Sequence, residues 1–437
     1  MIELIFILSY VITPLLVLWL LGKLRIPWNS VNIITVFVWN YFIMSFLGNI
    51  ILFFFLDDYR YDSGVNDRNL ILLMHFFCAI GIVMFLVGVY ITKRLLPNDR
   101  QPDVIVQKFD ESRVIWFAHI IVLICIGIIV LFVNQLPAFP ILAILTVEDA
   151  QSVSILRSMS SNSFAGNFSR YYIFFGHLLP FVCMFYFSIA LIKKTKKQYV
   201  IFFAVLLAAI VGVTISLERG PIGNLLLGLM LVYLITKKIR VVPIRTLAII
   251  FVILVSILTL SFLFFSVSSD EIMLSSIFIT VFSRVFTGAL NAGYYYLEYF
   301  PSHFPFLYGA TLPNPMGFLP FKPFQITVEL MSYVHPEYTD LGIVGSMPAP
   351  YWAELYANFN AYGVIAGSLL LGSYYFIFHS FLNRLVSNPI TIALTAWTIL
   401  HFKNSATTGA TYLIFDTYLV TIYCVAFIMH LIQKNTP

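Results

Sequence analysis

Apolar residues fall in long runs separated by short polar breaks along most of the 437 residues. A helix needs about 20 apolar residues to cross a bilayer. By that measure the pattern predicts spans at 3–22, 31–56, 70–92, 114–133, 171–192, 199–216, 222–236, 246–268, 361–382, 388–402 and 411–432. The run at 222–236 is short, and 388–402 turns polar at its end. Two long intervals interrupt the pattern, 134–170 and 269–360. They divide the chain into an N-terminal bundle (1–268), a large loop (269–360) and C-terminal helices (361–437). No internal repeat of the transporter kind is visible.

The large loop has a pattern of its own. Residues 272–300 are amphipathic but carry Arg284 near the middle, which is costly in lipid. The stretch therefore predicts a helix lying on or dipping into the leaflet surface. Phe304 to Phe324 is broken by prolines at 305, 313, 315, 320 and 323 and predicts an ordered loop without long regular structure. Pro348 and Pro350 suit a helix start, so 351–358 is predicted helical, just ahead of the span at 361–382.

Composition makes the membrane reading firm. Sixty per cent of residues are hydrophobic and 10% charged, against about 25% charged in a soluble domain; mean hydropathy is +0.92. The fold class expected is an all-α polytopic integral membrane protein with about eleven spans and short helices in a large outer loop. Cys78, Cys125, Cys183 and Cys424 all sit in apolar runs without a CxxC pair, so they read as packing residues. The first run lacks a basic leader and a small-residue cleavage site and is expected to remain a span. There is no GxxxxGK[ST], HExxH or GxSxG and no His/Cys cluster with metal spacing. No metal or cofactor is expected, and the lipid bilayer, not nucleic acid, is the expected partner.

Charge then orients the chain. One alternation places Lys23 and Arg25, the basic residues from Lys93 to Arg113, Lys193 to Lys197, Lys237 to Arg245, Arg384 and Lys434 on one side. By the positive-inside bias that side is the cytoplasm, with the N-terminus outside and the C-terminus inside. The basic residues left outside are Arg60, Arg68, Arg157, Arg170, Arg219, Arg284, Lys322 and Lys403. Arg60 and Arg68 lie among Asp57, Asp58, Asp62 and Asp67 and read as a solvated loop. Arg219, in the tight ISLERGPIG turn at a helix start, suits a phosphate or pyrophosphate; the competing reading is a pair with Glu218 or with lipid head groups. Arg284 has no acidic neighbour until Glu298. Arg157 and Arg170 stand in the first outer loop, where Arg170 has a second reading as the interface anchor of the span at 171–192. Lys403, in a polar break between spans, reads as a helix cap, with service to a cavity as the alternative.

Among the outer acids, Glu354 has the best position. It would lie four residues from Asn358 on one helix face, among Tyr351, Trp352, Tyr356 and Phe359. That setting suits a general base; the competing reading is an interface anchor in an aromatic belt. His335 and Asp340, in YVHPEYTDLG, are the second choices for a base or orienting group.

Two stretches carry a family likeness. Ser216 to Pro221 is followed by an apolar helix, and GSMPAPYWAELYANFNAYGVIAGSLLLG runs from Gly345 to Gly372. With the large outer loop near the C-terminus, these resemble the Wzy-type O-antigen and capsule repeat-unit polymerases of bacteria. Where that family has Asn-Phe-Gly this chain has Asn358-Phe359-Asn360, and Asn tolerates a left-handed backbone better than most residues. The resemblance implies a GT-C-like glycosyltransferase of the bacterial inner membrane. It would act on polyprenyl-pyrophosphate-linked oligosaccharides and build a surface polysaccharide such as lipopolysaccharide O-antigen or capsule, with a flippase and a chain-length regulator as partners. Glu354 would deprotonate the acceptor hydroxyl. Arg219, Arg284, Arg157 and Arg170 would hold the undecaprenyl pyrophosphate, and Tyr351 and Asn358 the sugar, with outer aromatics such as Trp352 and Tyr294 to Tyr296 stacking on rings. A lipid-linked oligosaccharide flippase or transporter, and an O-antigen ligase, remain alternatives.

Overall fold

A computed structural model describes residues 1–96, 112–135, 171–215, 219–246, 249, 252, 256, 281–314, 320, 322–337, 345–411 and 416–434. Its helices, in chain order, are α1 (Ile2–Lys23), α2 (Ile33–Phe53), α3 (Arg68–Leu95), α4 (Ser112–Gln135), α5 (Ile173–Lys193), α6 (Lys196–Thr214) and α7 (Arg219–Thr236). There follow α8 (Gly288–Tyr299), α9 (Ile326–Val334), α10 (Tyr351–Arg384), α11 (Pro389–Lys403) and α12 (Thr417–Lys434). Among the described residues, α1 to α6 and α10 make seven helices long and apolar enough to cross a membrane, with shorter apolar helices at Gly220–Thr236 and Thr417–Gln433. The expected span at 246–268 lies largely outside the described residues. Of the span expected at 411–432, residues 412–415 lie outside the described residues and α12 covers the part from Thr417.

Local signals set several boundaries. The Asn32 side chain accepts from the backbone N–H groups of Ile34 and Thr35 and starts α2. Asp67 does the same for Asn69 and Leu70 at α3. Thr195 caps α6 after Lys194 reverses the chain at φ 54°. A π-helical turn at Phe42–Phe46 interrupts α2.

The chain divides into two compact units. The first comprises residues 1–100, 278–383 and 401–416, and so joins the N-terminal helices to the described part of the large loop. An aromatic cluster fills its centre. Phe37 of α2 lies 4.5 Å from Phe85 of α3 and 5.0 Å from Tyr375 of α10 between ring centroids. Tyr41 and Tyr351 are 5.5 Å apart. Beside this cluster α3 and α10 cross at glycines. A Cβ on Gly88 would overlap the Leu369 carbonyl, and one on Gly372 would overlap the Phe85 carbonyl. Such small-residue crossings bring backbones together where lipid offers no hydrophobic drive.

The stretch expected at 272–300 as a surface helix keeps Phe282 and Arg284 exposed, but from Leu290 on it is enclosed. Leu290 to Leu297 of α8 are buried on every side. Gly48 of α2 sits against the Phe286 carbonyl, and Gly293 of α8 sits against the Trp352 ring. The polar faces of Tyr294 and Tyr295 are satisfied by the 57–67 loop, through Asp67 N–H and the Ser63 carbonyl. Tertiary partners therefore cover the side that the amphipathic pattern assigned to water.

The second unit comprises residues 101–277, 384–400 and 417–437. Here α5 packs on α6 and α7, and α12 packs on α4. Tyr186 bonds His119 at 2.8 Å, and His177 stacks on Tyr418 at 4.1 Å. Cys78, Cys125 and Cys183 are buried free thiols within the two units, while Cys424 is exposed.

Candidate functional site

Glu354 lies in the first turn of α10 and is 3% exposed. Its Oε2 accepts from the backbone N–H of Ala410 at 2.8 Å and of Thr411 at 3.2 Å. Its Oε1 accepts from the Thr411 hydroxyl. The carboxylate thus holds the turn that follows α11. Gly409 permits the approach: it has φ 88°, and a Cβ there would strike Oε2. Charge-assisted bonds to backbone donors are strong inside a protein, so the turn and the carboxylate fix each other.

The same turn is pinned from further helices of the first unit. Asn40 Nδ2 donates to the Lys403 carbonyl at 2.9 Å, and Ser45 Oγ to the Ala406 carbonyl at 2.5 Å. The Tyr375 hydroxyl donates to the Phe402 carbonyl at 2.6 Å. Lys403 Nζ reaches Asn404 Oδ1 at 2.9 Å, at the helix end where the sequence reads it as a cap.

Four residues after Glu354, Asn358 is 2% exposed and fully engaged. Its Oδ1 accepts from Gly309 N–H at 2.9 Å. Its Nδ2 donates to Thr311 Oγ1 and to the Glu354 carbonyl, both at 2.8 Å. The 307–312 segment is laid against α10 by these bonds and by Leu307 N–H to the Ala357 carbonyl. Asn358 positions a loop here and presents no amide to a substrate.

Directly beyond it α10 kinks. Phe359 leaves helical geometry, and Asn360 takes φ 59° and ψ −157°. The positive φ agrees with the expected left-handed tolerance, but the ψ does not. This pair of angles belongs to a region used essentially by glycine, at a cost of about 1–3 kcal/mol. The Asn360 side chain offsets part of that by accepting from Ala361 N–H at 2.6 Å.

A groove of about 560 Å³ opens at the kink. Gly363, Ala366, Gly367, Leu370, Leu371 and Tyr374 form its floor, spaced as one face of α10. Asn358, Thr411, Ala410 and Gly309 close its polar end. At its rim Tyr362 is 81% and Phe359 45% exposed, and Tyr308 stands outside the neighbouring loop at 77%.

The aromatics expected to meet sugar are elsewhere. Tyr351 and Trp352 are 0% exposed and belong to the core beside Gly81 and Gly293. Tyr294, Tyr295 and Tyr296 are buried in α8. These five rings serve packing, because the first turn of α10 and the middle of α8, which carry them, are buried. Of the exposed rings by the groove, Phe359 is among those the sequence places around Glu354, whereas Tyr308 and Tyr362 are not.

Other candidates separate from this site. His335 follows α9, and its Nδ1 lies 3.1 Å from Glu337 Oε1 near the surface. Asp340, Arg157 and Arg170 lie outside the described residues. Arg219 is the first residue of α7 and belongs to the second unit, with its side chain outside the described set, whereas Glu354 belongs to the first. Arg284 is described, exposed, on the helical turn before α8. Arg68 makes a surface pair with Glu3 at 3.2 Å, of the kind worth about 0–1 kcal/mol. The sequence reading missed a buried pair, His401 and Asp416, whose Nε2 and Oδ2 are 3.0 Å apart with each side chain 9% exposed. Its signal was Asp416 as the one carboxylate in the apolar run 411–432. Among the described residues no cluster of three metal-ligating side chains occurs.

Comparison of the chain with protein-family models, curated proteins and solved structures gave no match.

Proposed function

We propose that this chain is a membrane glycosyltransferase that polymerises polyprenyl-pyrophosphate-linked oligosaccharide repeat units. The observation that carries the reading is the groove along α10. Its floor is apolar and helical over three turns, as a hydrocarbon chain requires, and its other end is closed by Ala410 and Thr411, the residues whose N–H groups bond the Glu354 carboxylate. A substrate that is lipid at one end and sugar at the other fits that sequence of surfaces. Tyr308, Phe359 and Tyr362 offer exposed rings at the end where sugar would lie.

In the reaction, an acceptor hydroxyl attacks the sugar carbon bonded to the lipid pyrophosphate. The C–O bond to pyrophosphate breaks, the new glycosidic bond forms, and the hydroxyl proton passes to a base. Glu354 is the proposed base. Two backbone N–H groups fix Oε2, while Oε1 is met by a hydroxyl, that of Thr411. That hydroxyl occupies the place of an acceptor hydroxyl and leaves by a side-chain rotation. The leaving pyrophosphate takes the charge, stabilised by an arginine such as Arg284. The active face is the outer side of a bacterial inner membrane, with the N-terminus outside and the C-terminus in the cytoplasm.

A block in the groove tests the reading. Ala366 is exposed on the floor, so Ala366→Trp fills the groove without entering the core. In a host deleted for this chain, wild type is expected to restore a ladder of glycan lengths. Ala366→Trp is expected to leave single repeat units at wild-type protein levels. A full ladder from the tryptophan variant would remove the groove from substrate binding.

A further inference from the structure

The end of α1 and the start of α2 enclose a cleft that the proposed reaction does not use. Its volume is about 550 Å³, within the range of about 300–1,000 Å³ typical of ligand sites. Leu18, Leu21, Gly22, Ile26, Trp28 and Trp39 are among the residues that line it, and all are apolar. A Cβ on Gly22 would meet no atom within 4 Å, so the open space reaches the helix backbone. The two indoles hold each other in place. Trp39 Nε1 donates to the Trp28 carbonyl at 2.6 Å, and the rings meet edge to face with centroids 5.8 Å apart.

The cleft stands at the depth where lipid head groups begin. With 22 residues, α1 is about 33 Å long at 1.5 Å per residue, against a hydrocarbon thickness of about 30 Å. Its last turn therefore reaches the interface, where indoles and basic side chains gather. Leu15, Leu18 and Trp19 are exposed on α1 ahead of that turn, an apolar surface for lipid to cover.

Charge around the cleft has one sign. Lys23 and Arg25 follow Gly22 and precede Ile26 in the chain, and both are exposed. Lys23 Nζ lies over the ring of Trp19, the neighbour of Leu18, at 5.5 Å from its centroid. Lys93 of α3 donates from Nζ to the Leu24 carbonyl at 2.7 Å, which brings a third cation to this end of α1. The sequence has no acidic residue from 4 to 56 or from 68 to 98, so the ends of α1, α2 and α3 that meet here carry none. Three cations outweigh the negative end of the α1 dipole, about half a charge. Arg25 also takes φ 53°, just past a helix end where glycine is usual. A large charged side chain is kept at a backbone conformation that favours none.

We propose that this cleft binds an anionic phospholipid, with an acyl chain against the apolar lining and the head group against Lys23 and Arg25. The lining removes the chain from water. A zwitterionic phospholipid would add its own cation to a place that already holds three, so the site selects for net negative charge. Neither glycan nor groove is involved, and the inference stands whether or not the chain polymerises.

The full chain, purified and stripped of lipid in a neutral detergent, is titrated with phosphatidylglycerol and, separately, with phosphatidylcholine of the same acyl chains. Bound lipid is counted by native mass spectrometry. The wild type is expected to hold one phosphatidylglycerol at least tenfold more tightly than phosphatidylcholine. Lys23→Gln with Arg25→Gln, which changes only exposed side chains, is expected to lose that preference. Gly22→Leu, whose side chain enters the cleft, is expected to weaken phosphatidylglycerol binding at least tenfold. Arg68→Gln, at the Glu3 pair by the opposite end of α1, is expected to bind as the wild type does. Equal affinity of the wild type for the two lipids overturns the proposal. So does phosphatidylglycerol binding that Gly22→Leu leaves unchanged. A dimer that Gly22→Leu dissociates, with no lipid held, would place a second copy of the chain in the cleft and overturn it as well.

Discussion

Glu354→Gln is expected to abolish the glycan ladder while the protein still inserts and purifies normally. The geometry makes this substitution unusually clean. A glutamine can direct its carbonyl to the N–H groups of Ala410 and Thr411 and its amide to the Thr411 oxygen, since a hydroxyl accepts as readily as it donates. The turn after α11 therefore keeps its hold, and only the charge and basicity are lost. A positioned general base contributes about 10²–10⁴ in rate, so chain growth should fall by about that factor. Glu354→Ala differs: it leaves two buried N–H groups without a partner, at about 1–3 kcal/mol for each, and should lower stability as well as activity. Thr411→Val keeps its backbone N–H on Oε2 and frees Oε1, so it should retain a ladder. Wild-type ladders from Glu354→Gln would remove the carboxylate from the chemistry and leave it a structural clamp.

The second large effect is on folding. Gly372→Ala and Gly88→Ala each place a methyl group on a backbone carbonyl of the opposite helix. A side chain in the way can rotate, but a carbonyl in a helix cannot, so α3 and α10 must separate. Overpacking in a core costs about 1–3 kcal/mol, and these two sites belong at the upper end. Parting the helices also opens the Phe37, Phe85 and Tyr375 cluster that lies between them. Melting of the purified protein in detergent measures the loss. Gly22 and Gly127 give the control, because a Cβ at either meets no atom within 4 Å. Alanine there should be neutral or stabilising, by up to about 1 kcal/mol, from helix propensity. If Gly372→Ala melts where Gly127→Ala does, the crossing is not what holds the first unit together.

Much of the membrane architecture was legible because a 20-residue apolar run has few alternatives in a folded chain. The predicted spans 3–22, 70–92 and 114–133 lie within α1, α3 and α4 for that reason. The start of α10 at Tyr351 was equally legible from Pro348 and Pro350. What the pattern does not encode is which surfaces meet. The buried state of α8 depends on glycines at 48 and 293, far apart in sequence and silent until their neighbours are known. The rings of Tyr351 and Trp352 look the same in sequence whether they face sugar or Tyr41. Glu354 stood out as a carboxylate among aromatics, but its partners lie at 410 and 411, past an entire pair of helices. Arg60 was read with the aspartates beside it, whereas the fold also brings it to Gly288 at the start of α8. In each case local chemistry was readable and long-range pairing was not.

The central claim is that this chain lengthens lipid-linked glycans. Lipid-linked single repeat units extracted from the deletion host supply the substrate in its own chemistry. The purified chain, reconstituted in proteoliposomes with that extract, is followed by glycan length and by released polyprenyl pyrophosphate. The expected result is growth by whole repeat units, with one polyprenyl pyrophosphate released for each unit joined. Movement of the intact lipid-linked unit across the bilayer, with no lengthening and no release, would contradict the claim.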